Sequence, residues 1–306
     1  MRKFSNIQYA VFFAVIFISI IGVLIIGNWG NQIFPDSEDK EPFDKFNILK
    51  IYPTKNKNEW YVNMDDPKDD PFVKNYSDIN LTKLSDGSWE ISGEQVRFNV
   101  WSKPNEKWSD IEITGYLKLK DEKSWVEIYS RGSIHSSDSP CLGSAYKGKF
   151  LGDGTIEWVK EVTHPAYTER ETDMLIPEET RHSQWVGVKV VMYNFIENGT
   201  TNVRLEMYED KNASSPTGEL LIKNNWELIS VLDDRGEWSA SQSSKFNDSC
   251  SPLSYDNMER YRQPDEILSM SGGNETNNIV TWRSDQEIWN FKYLSIREIV
   301  TPINDK

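Results

Sequence analysis

The stretch WVGVKVVMYNF, residues 185–195, decides the fold class, because its apolar residues recur at every second position. Such a period of two is typical of a β-strand that buries one face. One side of the strand is purely aliphatic and carries Val186, Val188, Val190 and Met192. The other side carries Trp185, Lys189 and Tyr193.

The same alternation recurs along the chain. DIEITGYLKL (110–119) and VRLEMYED (203–210) also pair an aliphatic side with a side that mixes aromatic and charged residues. Further strands are predicted for VRFNVW (96–101), SWVEIYS (124–130), ELISVLD (227–233) and FKYLSIREIV (291–300). Many strands without intervening helices predict an all-β fold, an antiparallel β-sandwich of the jelly-roll type.

The polar sides of these strands are unusual because tyrosines and a tryptophan recur among the charges. A curved sheet with such a side is typical of a polysaccharide-binding groove. The alternative is a set of ordinary cross-strand pairs on a half-covered sheet. The residues predicted to line the groove are Glu112, Tyr116, Trp185, Lys189, Tyr193, Arg204 and Tyr208.

The stretch EIYSRGSIH, residues 127–135, predicts another strand with a polar side. As a strand it would align an acid, a phenol, a guanidinium and an imidazole on that side. A uronate lyase needs a cation for the carboxylate, a base for the C5 proton and an acid for the leaving oxygen. The candidate catalytic residues are Arg131, His135 and Tyr146, and the accompanying binding residues are Glu127, Tyr129, Lys147 and Lys149. The alternative is that Arg131 pairs with an acid and His135 belongs to a loop.

The net charge of the chain limits the classes of molecule that it can bind. The 306-residue chain has a formal net charge of −14, which argues against nucleic acid as a partner. Asp110 and Glu112 are spaced as a glycosidase pair would be, so hydrolysis is a further enzymatic hypothesis. The favoured function is a carbohydrate-binding module, with the uronate lyase and a purely structural surface protein as alternatives, and none of these requires a cofactor.

The N-terminal sequence predicts that the protein is anchored in a membrane. Arg2 and Lys3 precede the apolar run AVFFAVIFISIIGVLII (10–26), which is long enough for a membrane-spanning helix. An uncleaved signal-anchor is favoured over a cleaved signal peptide, which places the bulk of the chain outside the cytoplasm. The predicted organisation is a cytoplasmic end (1–8), an anchor (9–28), an acidic linker (29–45), a sandwich (46–301) and a tail (302–306).

The cysteines and the glycosylation sequons fit an extracellular location, and an aspartate cluster predicts a metal ion. Cys141 and Cys250 could form a disulfide in an oxidising space, the alternative being two separate thiols. The aspartates of DDPKDD suit a structural Ca²⁺, the alternative being a solvated acidic loop; they are Asp65, Asp66, Asp69 and Asp70. Glycosylation sequons occur at Asn75, Asn80, Asn198, Asn212, Asn247 and Asn274.

Several segments resemble a group of exported concanavalin A-like jelly-roll proteins with many archaeal members. The resemblance covers about residues 46–301 and is carried by YPTK (52–55), EWYVNMDDP (59–67), DGSW (86–89), CLGSAYKGKF (141–150) and the strands above. It implies two facing sheets with a carbohydrate groove, as in legume lectins, laminarinase-type glucanases and alginate or glucuronan lyases. The Glu-x-Asp-x-x-Glu motif of the glucanases is incomplete here, and the lyase motifs are not intact, so the resemblance does not select an activity.

Overall fold

The computed structural model describes residues 41–74, 78–104, 106, 108–132, 145–163, 166–171, 182–235 and 279–302. All of these belong to one unit of the chain, Ser37–Lys306. The predicted anchor, His135, both cysteines and the sequons at Asn75, Asn247 and Asn274 lie outside these residues. Within them no helix is long and apolar enough to cross a membrane.

Fourteen strands make up the described fold. They are β1 (Thr54–Tyr61), β2 (Asn80–Lys83), β3 (Trp89–Ser92), β4 (Gln95–Trp101), β5 (Ile111–Leu119), β6 (Trp125–Ser130), β7 (Ala145–Leu151), β8 (Ile156–Thr163), β9 (Ala166–Glu171), β10 (Val186–Glu197), β11 (Thr200–Asp210), β12 (Trp226–Asp234), β13 (Ile279–Asp285) and β14 (Trp289–Ile299). The strands form an eight-stranded sheet and a six-stranded sheet, which confirms the predicted antiparallel sandwich.

The last two strands in the sequence, β13 and β14, lie in the interior of the two sheets. The six-stranded sheet has the order β4-β13-β6-β7-β8-β9, so β13 separates β4 from β6. The eight-stranded sheet has the order β12-β11-β10-β5-β14-β3-β2, and β1 also pairs with β14. β14 has an irregularity between Lys292 and Ser295, where Tyr293 takes a positive φ of 56°. Its two halves therefore pair with different strands, the first with β3 and the second with β1.

The core lies between the sheets and consists of the aliphatic sides that the alternation predicts. Ile113, Val190 and Leu205 from the eight-stranded sheet are fully buried in this core, as are Val126 and Ile128 from the six-stranded sheet. Four tryptophans are also fully buried: Trp108, Trp158, Trp282 and Trp289. Because the inner faces are apolar, the polar sides of both sheets point away from the core, in opposite directions.

The described sequons lie at the surface. Asn80, Asn198 and Asn212 are all exposed, and the last two occupy turn positions with positive φ. These side chains are therefore accessible to a glycosylating enzyme, and their glycosylation stays a prediction.

Candidate functional site

The residues predicted to bind ligand fall on opposite sides of the sandwich. Glu127, Tyr129, Lys147 and Lys149 lie on the outer face of the six-stranded sheet. Their strand partners on β13, β4 and β8 complete this face, which we call the six-stranded face: Arg97, Asn99, Trp125, Glu127, Tyr129, Lys147, Lys149, Glu157, Val159, Glu161, Thr281 and Arg283. The remaining predicted binding residues lie on the outer face of the other sheet.

Strand register arranges the six-stranded face in two rows. Arg97 pairs with Arg283, Arg283 with Glu127, Glu127 with Lys149, and Lys149 with Glu157. A second row, one step along the strands, runs Asn99, Thr281, Tyr129, Lys147 and Val159. Directly opposed residues in a sheet are close enough to interact, so the first row is a continuous line of charges across five strands.

The charges of the six-stranded face neutralise each other. Lys149 Nζ lies 2.6 Å from Glu157 Oε2, and Lys147 Nζ lies 2.6 Å from Glu161 Oε2 and 3.4 Å from Glu127 Oε1. Glu127 therefore lies between two cations, because Arg283 NH1 is also 3.1 Å from its Oε1. Arg283 and Arg97 share a further carboxylate, that of Asp285, at 2.7 Å and 2.8 Å.

These ion pairs favour the charged forms of Arg283 and Asp285. Burial lowers the pKa of Arg283, but Glu127 and Asp285 outweigh burial and raise it overall. Burial raises the pKa of Asp285, but Arg283 and Arg97 outweigh burial and lower it. Arg283 consequently remains a donor and Asp285 an acceptor around neutral pH.

Access to the six-stranded face is graded along the strands. The side chains of Arg283 and Lys149 are 25% and 19% exposed, whereas those of Lys147 and Glu161 are 3% and 2% exposed. Half-buried Trp125 lies at the accessible end. Its ring has Lys149 Nζ at 5.5 Å and the Arg283 guanidinium carbon at 5.6 Å from its centroid. A partly exposed aromatic ring with two cations within 5.6 Å of its centroid, beside a line of paired charges, is thus the accessible part of the face.

The outer face of the eight-stranded sheet, which we call the eight-stranded face, differs from the expected open groove. Tyr116 is 0% exposed and Lys189 is 1% exposed. Glu112, Trp185, Tyr193 and Tyr208 are likewise buried, and only Arg204 is partly exposed, at 32% of its side chain. Residues 41–53, which we call the strap, and residues 211–226 pack against this face through Ile48, Ala213 and Trp226. The covered face corrects the expectation of an open groove here.

The predicted catalytic residues do not share an accessible face in the described part of the chain. Arg131 follows the end of β6 with a positive φ of 59°, which breaks the alternation that would align it with Tyr129. Its fully buried guanidinium donates to the Ser109 carbonyl, to Asp110 Oδ1 at 3.3 Å and to Asn194 Oδ1 at 2.5 Å. It therefore ties β6 to the opposite sheet instead of facing a ligand.

Tyr146 also points inward. It belongs to the core between the sheets, and its hydroxyl donates to Asp234 Oδ2 at 2.6 Å. Lys160 Nζ donates to the same oxygen at 2.6 Å. Asp234, on one sheet, therefore accepts hydrogen bonds from a phenol and an ammonium group on the other sheet. His135, the third candidate, lies outside the described residues.

The aspartates of DDPKDD make contacts within the protein. Asp70 uses both carboxylate oxygens, one for the Trp60 indole N–H and one for the Phe72 N–H. Asp66 accepts from the Lys68 N–H, and Asp65 lies 3.8 Å from Lys83 Nζ. In the described residues no three His, Cys, Asp or Glu side chains, Asp69 included, form a group that could hold a metal ion. A structural Ca²⁺ at this loop therefore stays a prediction.

Sequence reasoning missed several members of the six-stranded face. Arg97, Glu157, Glu161, Asp285 and Arg283 were not among the predicted binding residues. Arg283 lies on β13, a strand that was not predicted because only seven residues, IVTWRSD, follow a long turn-rich stretch. Trp125 could have been found, because it has the same parity as Glu127 and Tyr129 in SWVEIYS.

Comparison with known proteins gives a likeness of fold. No family model and no curated protein matches the sequence. Among solved structures, the carbohydrate-binding module CBM66 from Bacillus subtilis shares 9% identity with a TM-score of 0.37, over 74% of this chain and 95% of that one. A protein with a galectin-like fold from Bacillus subtilis shares 8% at a TM-score of 0.44, over 79% and 96%.

The β-glucanase of Bacillus licheniformis shares 7% identity at a TM-score of 0.41, over 79% of this chain and 99% of its own. Similarities at this level concern the all-β sandwich alone. We therefore base the function on the geometry of the six-stranded face.

Proposed function

We propose that this protein binds carbohydrate on its six-stranded face, around Trp125. The observation that carries the proposal is the partly exposed indole of Trp125, which lies near Lys149 and Arg283 and next to a row of paired charges. Sugars offer an apolar C–H surface that stacks on aromatic rings and hydroxyls that both donate and accept hydrogen bonds. The row supplies acceptors from Glu127 and Glu157 beside donors from Lys149 and Arg283.

The paired charges favour uncharged, hydroxyl-rich sugars. Each cation of the accessible row already has a carboxylate within 3.1 Å, as the Lys149–Glu157 and Arg283–Glu127 contacts show. An anionic sugar would have to displace these carboxylates from their partners, whereas a hydroxyl can bridge a pair without breaking it. In the described part of the chain, no observation favours the uronate-lyase alternative, because Arg131 and Tyr146 are buried and engaged across the core.

Replacing Trp125 by alanine is expected to weaken glycan binding at least tenfold, about 1.4 kcal/mol or more, because the stacking surface is lost. Binding of the purified chain to a panel of neutral and uronate polysaccharides, followed by calorimetry, measures this. The same incubations are monitored for the ultraviolet absorbance of an unsaturated sugar, which would reveal β-elimination.

Phe43→Ala is the matched control, since Phe43 is an aromatic residue that is 43% exposed and lies on the strap, away from the six-stranded face. This control should bind like the unmodified chain. Retention of no polymer by the unmodified chain, or equal binding by Trp125→Ala, would refute the proposal and favour a structural role. An absorbance rise would instead restore the lyase hypothesis.

The proposal places this face outside the cytoplasm, supported by the apolar run 10–26 and the preceding Arg2 and Lys3. In intact cells, an external protease is expected to degrade the sandwich while leaving a cytoplasmic marker protein untouched. Protection of the sandwich until the cells are lysed would contradict the predicted orientation. With this face outside the cytoplasm, its partner would be a glycan on the surface of the same cell or of a neighbouring cell.

A further inference from the structure

The strap, residues 41–53, forms a small hairpin before it enters β1. Phe43 pairs with Leu49, and Asn47 takes a positive φ of 61° at the tip. Asp44 Oδ1 stabilises the tip by accepting the N–H groups of Phe46 and Ile48, both at 2.9 Å. The hairpin therefore holds its own shape through local contacts.

The strap is held mainly through its backbone. Glu112 Oε2 accepts the N–H groups of Ile51 and Tyr52, at 3.0 Å and 3.3 Å. Arg297 NH1 donates to the Tyr52 carbonyl at 3.1 Å. Asn224 accepts the Leu49 N–H at 2.8 Å and donates to the Asn47 carbonyl at 3.1 Å. Side chains of the sheet and of the 211–226 segment thus contact five main-chain groups, an interaction that any peptide backbone can make.

Two strap side chains supply the selectivity. Ile48 is 0% exposed and packs with Tyr116, Trp185 and Ala213. Tyr52 donates its hydroxyl to Glu206 Oε2 at 3.0 Å. Glu206 also accepts the hydroxyls of Tyr193 and Tyr208 and the Arg204 Nε–H. The face therefore offers an apolar pocket and, four residues further along the bound segment, a polar pocket for a phenol.

The strap is only weakly anchored by burial. Of its thirteen residues, Ile48 and Tyr52 alone are buried, and half-buried Phe46 packs against the rings of Tyr61 and Tyr293. Ordering a segment of this length loses more conformational entropy than three such side chains return, so the hydrogen bonds must supply the difference. We therefore expect the strap to open locally before the sandwich unfolds. Opening would let water reach Glu112, Lys189 and Arg297, all of which are charged and buried, so the uncovered face is compatible with solvent.

We propose that the eight-stranded face is a peptide-recognition groove, which the strap occupies in cis and for which a segment of another chain competes. The segment would carry an aliphatic residue and, four positions later, a tyrosine, as Ile48 and Tyr52 do. Its backbone takes over the contacts with Glu112, Arg297 and Asn224. This groove is independent of the proposed glycan site, which lies on the opposite side of the sandwich.

The test uses the full chain and a fluorescent synthetic peptide with the sequence of residues 41–53. Ile48→Ala in the protein removes the buried aliphatic side chain of the strap without changing the groove. We expect hydrogen exchange of the Ile51 and Tyr52 amides to accelerate at least tenfold. We also expect the peptide to bind this variant at least tenfold more tightly than the unmodified chain, in which the strap competes at high effective concentration.

Three controls make the outcome decisive. A peptide carrying Tyr52→Ala should lose binding, and glycan binding on the six-stranded face should be unchanged. Should Ile48→Ala fail to fold, Asn47→Val loosens the hairpin instead, because a β-branched residue disfavours positive φ. The proposal is overturned if the peptide does not bind although the strap amides exchange fast. It is equally overturned if these amides exchange as slowly as those of β5 in both variants.

Discussion

Replacing Glu112 by alanine is expected to lower the free energy of unfolding by about 3–5 kcal/mol, because it removes the carboxylate that pairs with two buried basic side chains. Lys189 Nζ lies 2.6 Å and Arg297 NH2 lies 2.5 Å from Glu112 Oε1, and all three side chains are at most 1% exposed. Removing the carboxylate leaves the Arg297 charge unpaired in the buried layer between the sheet and the strap. It also removes the group that opposes burial, which lowers the pKa of Lys189. Urea denaturation followed by tryptophan fluorescence measures the loss.

The matched control replaces the whole cluster by apolar residues of similar volume, Glu112→Leu with Lys189→Met and Arg297→Met. This triple variant is expected to be close to the unmodified chain in stability, because no unpaired charge remains. A loss of less than about 1 kcal/mol in the single variant would show that water reaches the cations, as at an exposed ion pair.

The same cluster predicts a loss of stability in acid. Burial raises the pKa of Glu112, but Arg297 and Lys189 outweigh burial and lower it from 4.5 to about 2. A carboxyl whose pKa is lower in the folded state stabilises the fold above its unfolded pKa. This contribution is lost as the pH falls from about 4.5 towards 2.

Replacing Glu298 by glutamine is expected to stabilise the protein by up to about 3 kcal/mol at about pH 8, and to change little at about pH 4. Burial, followed by the charge of Asp110, raises the pKa of Glu298 from 4.5 to about 7. The folded state therefore prefers the protonated acid, and stability falls as the pH rises from about 4.5 through 7. Glutamine remains neutral throughout this range.

The surroundings of Glu298 supply the control. Its Oε2 accepts the Ser109 N–H at 2.9 Å and its Oε1 accepts the Asp110 N–H at 3.2 Å, and glutamine, with a single oxygen, keeps one of these two hydrogen bonds. Alanine keeps neither, so Glu298→Ala should destabilise at both pH values by leaving buried donors unpaired. Thermal unfolding of the three proteins across this pH range measures the effect. Equal melting temperatures of Glu298→Gln and the unmodified chain at about pH 8 would mean that Glu298 titrates as an exposed acid.

Alternation predicts most of the strands because the inner faces are apolar. WVGVKVVMYNF differs from β10 by only a few residues at its ends, and Val188 and Val190 line the core as expected. Alternation says which side of a strand is polar, but not what covers that side. Ile48 and Tyr52 lie in a segment without strand periodicity, so nothing in the sequence shows that it covers Lys189.

The candidate site was only partly predictable for a related reason. Glu127 and Tyr129 share a face as predicted, and Lys147 and Lys149 lie on the same face because neighbouring strands of a hairpin align in register. Arg131 departs from this face because one residue with positive φ reverses the alternation, a conformation that a non-glycine residue rarely adopts. The cross-strand partner Arg283 comes from a distant part of the sequence, and pairings of this kind are set by topology.

The order of strands within the two sheets has a consequence for the nascent chain. β13 separates β4 from β6, and β14 separates β5 from β1 and β3, yet β13 and β14 are synthesised after the other twelve strands. The ribosome must add about 150 residues after β6, which takes roughly 7–30 s at typical elongation rates. During that time the edges of β4, β5 and β6 lack their final partners and can pair with other chains. Chaperones that shield strand edges during synthesis should therefore raise the yield of this protein more than faster folding of any single hairpin.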